Sequence, residues 1–246
     1  MELSEPRRAL ATMLKANALS KSYGSSDALC NLNLSVEPGE VVGLLGANGA
    51  GKSTTLNIFL GFVAPSSGSA SVGGIDVVRD PVGARARIAF VPEVVALYPH
   101  LSGLENVDYF VRLTGREDPQ RADLLKALAT VGLPAAAADR RASTYSKGMR
   151  QKVALAIALA RRAEALLLDE PLSGLDPSAA NEFVASVRDA GDRGMAVLMA
   201  THDVFRAKEC AHRVGILKGG RLVDLRSTDS LSGAQLEELY LEHMRS

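Results

Sequence analysis

The chain has 246 residues, 47% of them hydrophobic and 23% charged, which gives room for one or two domains whose core needs no disulfide or metal staple. Its 28 basic side chains balance its 28 acidic ones, which excludes a global electrostatic pull toward nucleic acid or anionic lipid. Cys30 and Cys210, far apart and without a partner motif, exclude a disulfide framework and a cysteine zinc site, and they fit a reducing compartment. The most apolar run, residues 153–160, is closed by Lys152 and Arg161 and falls far short of the roughly 20 residues of a membrane span. No apolar stretch of the kind a secretory signal carries follows Arg7 and Arg8. The expected location is therefore the cytoplasm, with any membrane attachment supplied by a partner.

Along the chain, Cys30, Leu32, Leu34 and Val36 alternate with polar residues, a period of two that predicts a half-buried strand ending at Pro38 and Gly39. Residues 41–45 are continuously apolar, as in a strand buried on both faces. A glycine-rich loop follows, then a predicted helix over residues 54–62. Ser102 and Glu105 form a capping box ahead of a helix ending near Leu113. Asp118 and Pro119 predict the start of a helix closed by Gly132, and residues 135–138 a helical turn. Arg150, Lys152, Arg161 and Arg162 flank the apolar run at 153–160, a pattern of a buried helix face with charged borders. Residues 165–168 and 195–200 read as two more buried strands. Between them Asp176 and Pro177 open a helix ending near Gly191. A hairpin is predicted over 214–223, and Ser232 with Gln235 opens a last helix toward Met244, with Leu236, Leu239 and Tyr240 as its packing stripe. Strand and helix alternate except over residues 94–160, which are nearly all helical. This predicts an α/β unit with an inserted helical subdomain.

The chemistry-bearing residues stand at strand ends. Gly46, Ala47, Asn48, Gly49, Ala50, Gly51, Lys52 and Ser53 match the P-loop pattern between a strand and a helix. Glycines let successive N–H groups turn inward as an anion nest, and the helix N-terminus adds its positive dipole end. Lys52 is expected on the β- and γ-phosphates and Ser53 on Mg²⁺. Asp169 and Glu170 end a buried strand that parallel packing places at the same sheet edge. Asp169 suits holding Mg²⁺, and Glu170 suits activating the attacking water as a base. His202, at the end of another such strand, is expected to contact the γ-phosphate and orient that water.

With these residues in place, the chain resembles the ATP-binding subunit of an ABC transporter over about residues 14–244. Tyr145, Ser146, Lys147, Gly148 and Met149 resemble the family's signature, and residues 173–177, with Asp176, its D-loop. The resemblance implies a P-loop NTPase core with a mainly parallel sheet, an N-terminal antiparallel β region and the inserted helical subdomain. It divides the chain into a tail (1–13), a core (14–93 and 161–226), the subdomain (94–160) and a C-terminal helix (233–244). It implies that Tyr23 stacks on adenine and that Thr54 joins the nucleotide site. Glu93 stands where the family usually has a glutamine and can still reach Mg²⁺ or its water. Ser146, Lys147, Gly148 and Met149 are implied to cap the γ-phosphate of a second copy. ATP and Mg²⁺ are thus the implied cofactors, and a head-to-tail homodimer the working form. An integral membrane permease, not nucleic acid, is the implied partner, and the chain would lie peripherally on the membrane's cytoplasmic face. The signature and Glu93 resemble those of ABC-2-type exporters. The apolar cluster of Val94, Val95, Leu97 and Tyr98 is the expected permease contact. The alternative is an ABC ATPase that assembles or regulates without a permease.

Overall fold

The computed structural model describes residues 12–116 and 118–245, so most of the expected tail lies outside the described residues. In chain order the first half contains β1 (Leu14–Tyr23), β2 (Ser26–Val36), β3 (Val41–Leu45), α1 (Lys52–Phe59), β4 (Ser67–Val72), β5 (Ile75–Asp76), α2 (Pro81–Ala86), β6 (Ile88–Val91), α3 (Gly103–Arg112), α4 (Arg121–Thr130) and α5 (Ala135–Ala138). The second half contains α6 (Lys147–Ala160), β7 (Ala165–Asp169), α7 (Pro177–Asp192), β8 (Ala196–Thr201), α8 (Val204–Cys210), β9 (Arg213–Lys218), β10 (Arg221–Ser227) and α9 (Gly233–Arg245).

An antiparallel sheet in the order β2-β1-β4-β5 faces a six-stranded sheet in the order β10-β9-β3-β8-β7-β6. The second sheet is parallel apart from β10, which returns from β9 as the predicted hairpin. The continuous apolar runs have a simple cause. Val42, Leu44, Leu167 and Leu198 point to the core shared with α1 and the antiparallel sheet, while Val41, Leu45, Leu166, Leu168, Val197 and Met199 point to the core under the helices. Both faces of the central strands are therefore apolar.

Several boundaries differ from the sequence reading. The first helix covers Lys52–Phe59 rather than 54–62, because Gly61 enters the left-handed region at φ 65°. Phe62 N then bonds Asn57 O and Gly61 N bonds Ile58 O, which closes the helix end. Gln120, not Asp118 or Pro119, precedes α4. In β2 the two-residue alternation holds from Leu32 to Val36, but Asn31 at φ 56° shifts the phase, so Leu29 is buried instead of Cys30. The residue pattern marked no strand at β1, because a register shift between Ala16 and Leu19 breaks its period. Neither β6 nor α8 was marked, being short elements with weak periodicity.

Candidate active site

Register fixes the site. Leu45 pairs with Thr201 and Asp169 with Ala200, so the carboxyl ends of β3, β8 and β7 reach one edge of the sheet. The loop leaving β3 needs glycine twice. A Cβ on Gly46 would meet Leu217 O at 2.6 Å, and one on Gly51, whose φ is 109°, would meet Ala28 O at 2.5 Å. Gly220 N bonds Ala50 O at 3.0 Å and pins the loop to the β9–β10 turn. Lys52 Nζ folds back to donate to Gly46 O at 2.6 Å and Ala47 O at 3.2 Å. Ala47, Asn48, Gly49, Gly51, Lys52, Ser53 and Thr54 border a cavity of about 250 Å³, closed on its other sides by Ala28, Glu93, Asp169 and Glu170. Gly46 and Ala50 support the loop from behind.

The carboxylates occupy the far wall. Ser53 Oγ donates to Asp169 Oδ1 at 3.3 Å. Burial pushes the Asp169 carboxyl above the usual range, and the Ser53 bond opposes that shift. Glu170 has φ 43°, a left-handed backbone that a glutamate adopts at a cost of about 1–3 kcal/mol. A bond from its own N–H to Ala200 O at 2.9 Å holds it there. Its carboxylate is split: Oε1 lies 3.3 Å from Lys52 Nζ and Oε2 lies 2.9 Å from His202 Nδ1. Oε1 is buried and accepts no directed hydrogen bond, so the Lys52 contact is ionic. With Nδ1 engaged, Nε2 is the ring nitrogen of His202 left for a ligand. Asp203, not His202, caps α8, accepting from Arg206 N at 3.0 Å.

Among the described residues no cluster of three or more His, Cys, Asp or Glu forms a metal cage. The adjacent oxygens of Ser53 and Asp169 nonetheless suit a hard cation such as Mg²⁺, which takes one or two protein ligands and fills the rest with phosphate and water. Glu93 lines the cavity, but its Oε1 accepts a bond from Ser173 Oγ at 2.8 Å.

The signature-like residues stand apart. None of residues 145–149 borders the cavity of its own chain. Ser146 is the N-cap of α6, its Oγ accepting from Met149 N at 3.2 Å. Gly148 is fixed by packing as well as chemistry, since a Cβ there would lie 3.0 Å from Ala179 Cβ. Lys147 Nζ lies beside Gly174. The Asp176 carboxylate is the N-cap of α7, accepting from Ala179 N at 2.9 Å. Tyr23 ends β1 outside the cavity lining, half exposed, with Lys21 Nζ 4.9 Å from its ring centroid.

Residues 94–110 present Val94, Tyr98 and Tyr109 to solvent. Tyr98 and Tyr109 stack edge to face at 4.8 Å. Buried Asn106 fixes this segment: it accepts from Tyr98 N at 2.8 Å and donates to the carbonyls of Tyr98 at 3.1 Å and Ser102 at 2.8 Å. Sequence reading missed Asn106, Ala28 and Gln151, whose Nε2 donates to Glu93 O at 3.2 Å. A polar residue inside an apolar helix face was the available signal for Asn106 and Gln151.

Residues 29–173 match the protein family described as ABC transporter. The chain is 34% identical over 222 residues to the linearmycin resistance ATP-binding protein LnrL of Bacillus subtilis, covering 89% of this chain and 70% of that protein. It is 34% identical over 223 residues to the Nod factor export ATP-binding protein I of Paraburkholderia xenovorans, covering 91% of this chain and 73% of that one. Among solved structures, the ATP-binding cassette MJ0796, as a dimer in a post-hydrolysis state bound to ADP and Pi, superposes with a TM-score of 0.78 at 29% identity. That likeness covers 88% of this chain and 99% of the cassette.

Proposed function

The chain belongs to the ABC transporter family as an ATP-binding, ATP-hydrolysing subunit, and we propose that it drives a separate export permease by closing head to tail on a second copy around ATP. The observation that carries this reading is the division of parts within one chain. Lys52, Ser53, Asp169 and Glu170 gather at one cavity, while Ser146 and the start of α6 stand outside it. A two-fold pair brings each half to the other. Relatives named for linearmycin resistance and Nod factor export support export as the direction.

In this mechanism the nest of loop N–H groups and Lys52 hold the β- and γ-phosphates, and Tyr23 offers its ring to adenine. Ser53 and Asp169 hold Mg²⁺, with Glu93 reaching its water; the cation neutralises charge on the phosphate oxygens. Phosphate draws the Lys52 ammonium from Glu170 Oε1. Glu170 is then free to take a proton from water as its oxygen attacks the γ-phosphorus and ADP leaves. His202 holds the Glu170 carboxylate through Nδ1 and presents Nε2 to the γ-phosphate. From the second copy, Ser146 donates its hydroxyl, the Gly148 end of α6 adds its helix dipole, and Lys147 adds charge beside Met149. Loss of phosphate removes these cross-chain contacts and the pair opens. The permease seats on Val94, Tyr98 and Tyr109 and follows that motion. No helix among the described residues is long and apolar enough to cross a membrane, so the anchoring falls to the permease and the chain works on the cytoplasmic face.

The test is twofold. With Glu170→Gln and ATP, the protein should sediment as a dimer, and with ADP as a monomer. A tagged chain should also extract an integral membrane protein from the cells that make it. A monomer under both nucleotides would end the two-copy reading, and recovery with soluble proteins alone would end the permease reading.

A further inference from the structure

Gln151 lies on α6, one turn beyond Gly148, with no exposed surface. Its Nε2 donates to two consecutive carbonyls, Pro92 O at 3.4 Å and Glu93 O at 3.2 Å, while its Oε1 is buried without a partner. The Glu93 carboxylate is held from another side by Ser173. The next residue of α6, Lys152, binds Gly132 O at 2.9 Å and the Glu182 carboxylate of α7. One loop is thus fastened by its backbone to the helix that begins after Ser146, and by its side chain to the loop leading into α7.

We propose that Gln151 is a positioning residue that makes the placement of Ser146 and Gly148 depend on the Glu93 loop, and so on whether the cavity holds a γ-phosphate. This deepens the two-copy reading and rests on it. The contrast with Asn106 gives the physical reason. Asn106 uses both ends of its amide and fixes the loop at Tyr98 rigidly. Gln151 is bonded only at its nitrogen, and to two neighbouring carbonyls at once. An amide satisfied in this one-sided way lets the loop slide along it without a bond being abandoned. A helix moves as a rod, so displacement at Gln151 reaches the capping residue Ser146 with little loss. Glu93, drawn toward the phosphate and its cation, supplies the pull.

The experiment uses Gln151→Met in the Glu170→Gln background. Methionine keeps the length and apolar fit, and removes both the donor and the orphaned acceptor. The expected result is unchanged ADP affinity by calorimetry, an unchanged or raised thermal midpoint, and ATP-driven dimerisation weakened roughly tenfold or more in sedimentation. Gln151→Glu keeps the shape without the donor and should weaken pairing in the same way. A Met variant that pairs like its parent overturns the proposal. So does one in which ADP binding and thermal stability fall along with pairing, since that is the mark of a scaffold residue. If the Glu170→Gln parent itself fails to pair with ATP, the two-copy reading falls first and takes this inference with it.

Discussion

Glu170 Oε1 faces Lys52 Nζ at 3.3 Å, so the base proposed for water and the cation proposed for phosphate neutralise each other across the cavity. Both are largely buried, with side-chain exposures of 15% and 6%. Neither group is left as a lone charge in a poorly solvated pocket, and the arrival of phosphate exchanges one anionic partner of Lys52 for another.

Replacing Glu170 by glutamine separates these roles. Size and the His202 contact remain possible, while the proton acceptor is lost. ATP should still bind, and phosphate release should slow by roughly 10²–10⁴-fold. Near-normal release measured with a phosphate sensor would assign the base elsewhere.

His202→Ala tests the other oxygen. The 2.9 Å contact between His202 Nδ1 and Glu170 Oε2 orients the carboxylate, so its loss should lower kcat by about 10²-fold. The KM for ATP should change little, because the phosphate-holding loop is untouched. A rise in KM with unchanged kcat would make His202 a binding residue instead.

Gly51→Ala should abolish nucleotide binding while leaving the two cores folded. The new Cβ would press to 2.5 Å from Ala28 O, at a φ of 109°, and the backbone strain alone is worth about 1–3 kcal/mol. Titration with fluorescent ADP, alongside a far-ultraviolet circular dichroism spectrum, gives the check. Wild-type affinity would show that the loop relaxes more easily than its contacts imply.

Tyr98→Asp should uncouple transport from ATP binding. It puts a charge into the exposed aromatic pair with Tyr109, whereas the loop beneath stays held by Asn106. Vesicles carrying the assembled transporter should lose transport, and the isolated subunit should bind ATP as before. Transport at the wild-type rate would remove this face from the permease contact.

The two thiols should behave differently. Burial pushes the Cys210 thiol up to about 12, whereas Cys30 is partly exposed. At about pH 8 a thiol reagent should reach Cys30 in the native protein and Cys210 only after denaturation. The sign of the linkage follows. The folded chain holds the Cys210 proton more tightly than the unfolded chain, whose thiol titrates near 8.5. Its contribution is intact below that value and is lost as pH climbs toward about 12. Denaturant melts should show stability falling through that window, less steeply in Cys210→Ala.

What the sequence determined by itself was local. The loop from Gly46 to Ser53, the acids ending a buried strand at Asp169 and Glu170, and the caps at Ser102, Asp176 and Ser232 depend on neighbours within a few residues, so their physics is written in order along the chain. The double-faced strands at residues 41–45 and 165–168 were legible for the same reason, as unbroken apolar runs. Tertiary structure decided what depends on chain segments meeting. It chose which oxygen of Glu170 faces Lys52 and which faces His202, since that follows from the register of β7 against β8 and β3. It gave the Glu93 carboxylate to Ser173 and the Glu93 backbone to Gln151, contacts spanning 80 and 58 residues. It shifted β1 and β2 out of phase at Ala18 and Asn31, because a bulge answers to the partner strand and leaves no period behind. A pattern records the neighbours a residue has along the chain; packing and hydrogen-bond satisfaction between distant segments select the neighbours it has in space.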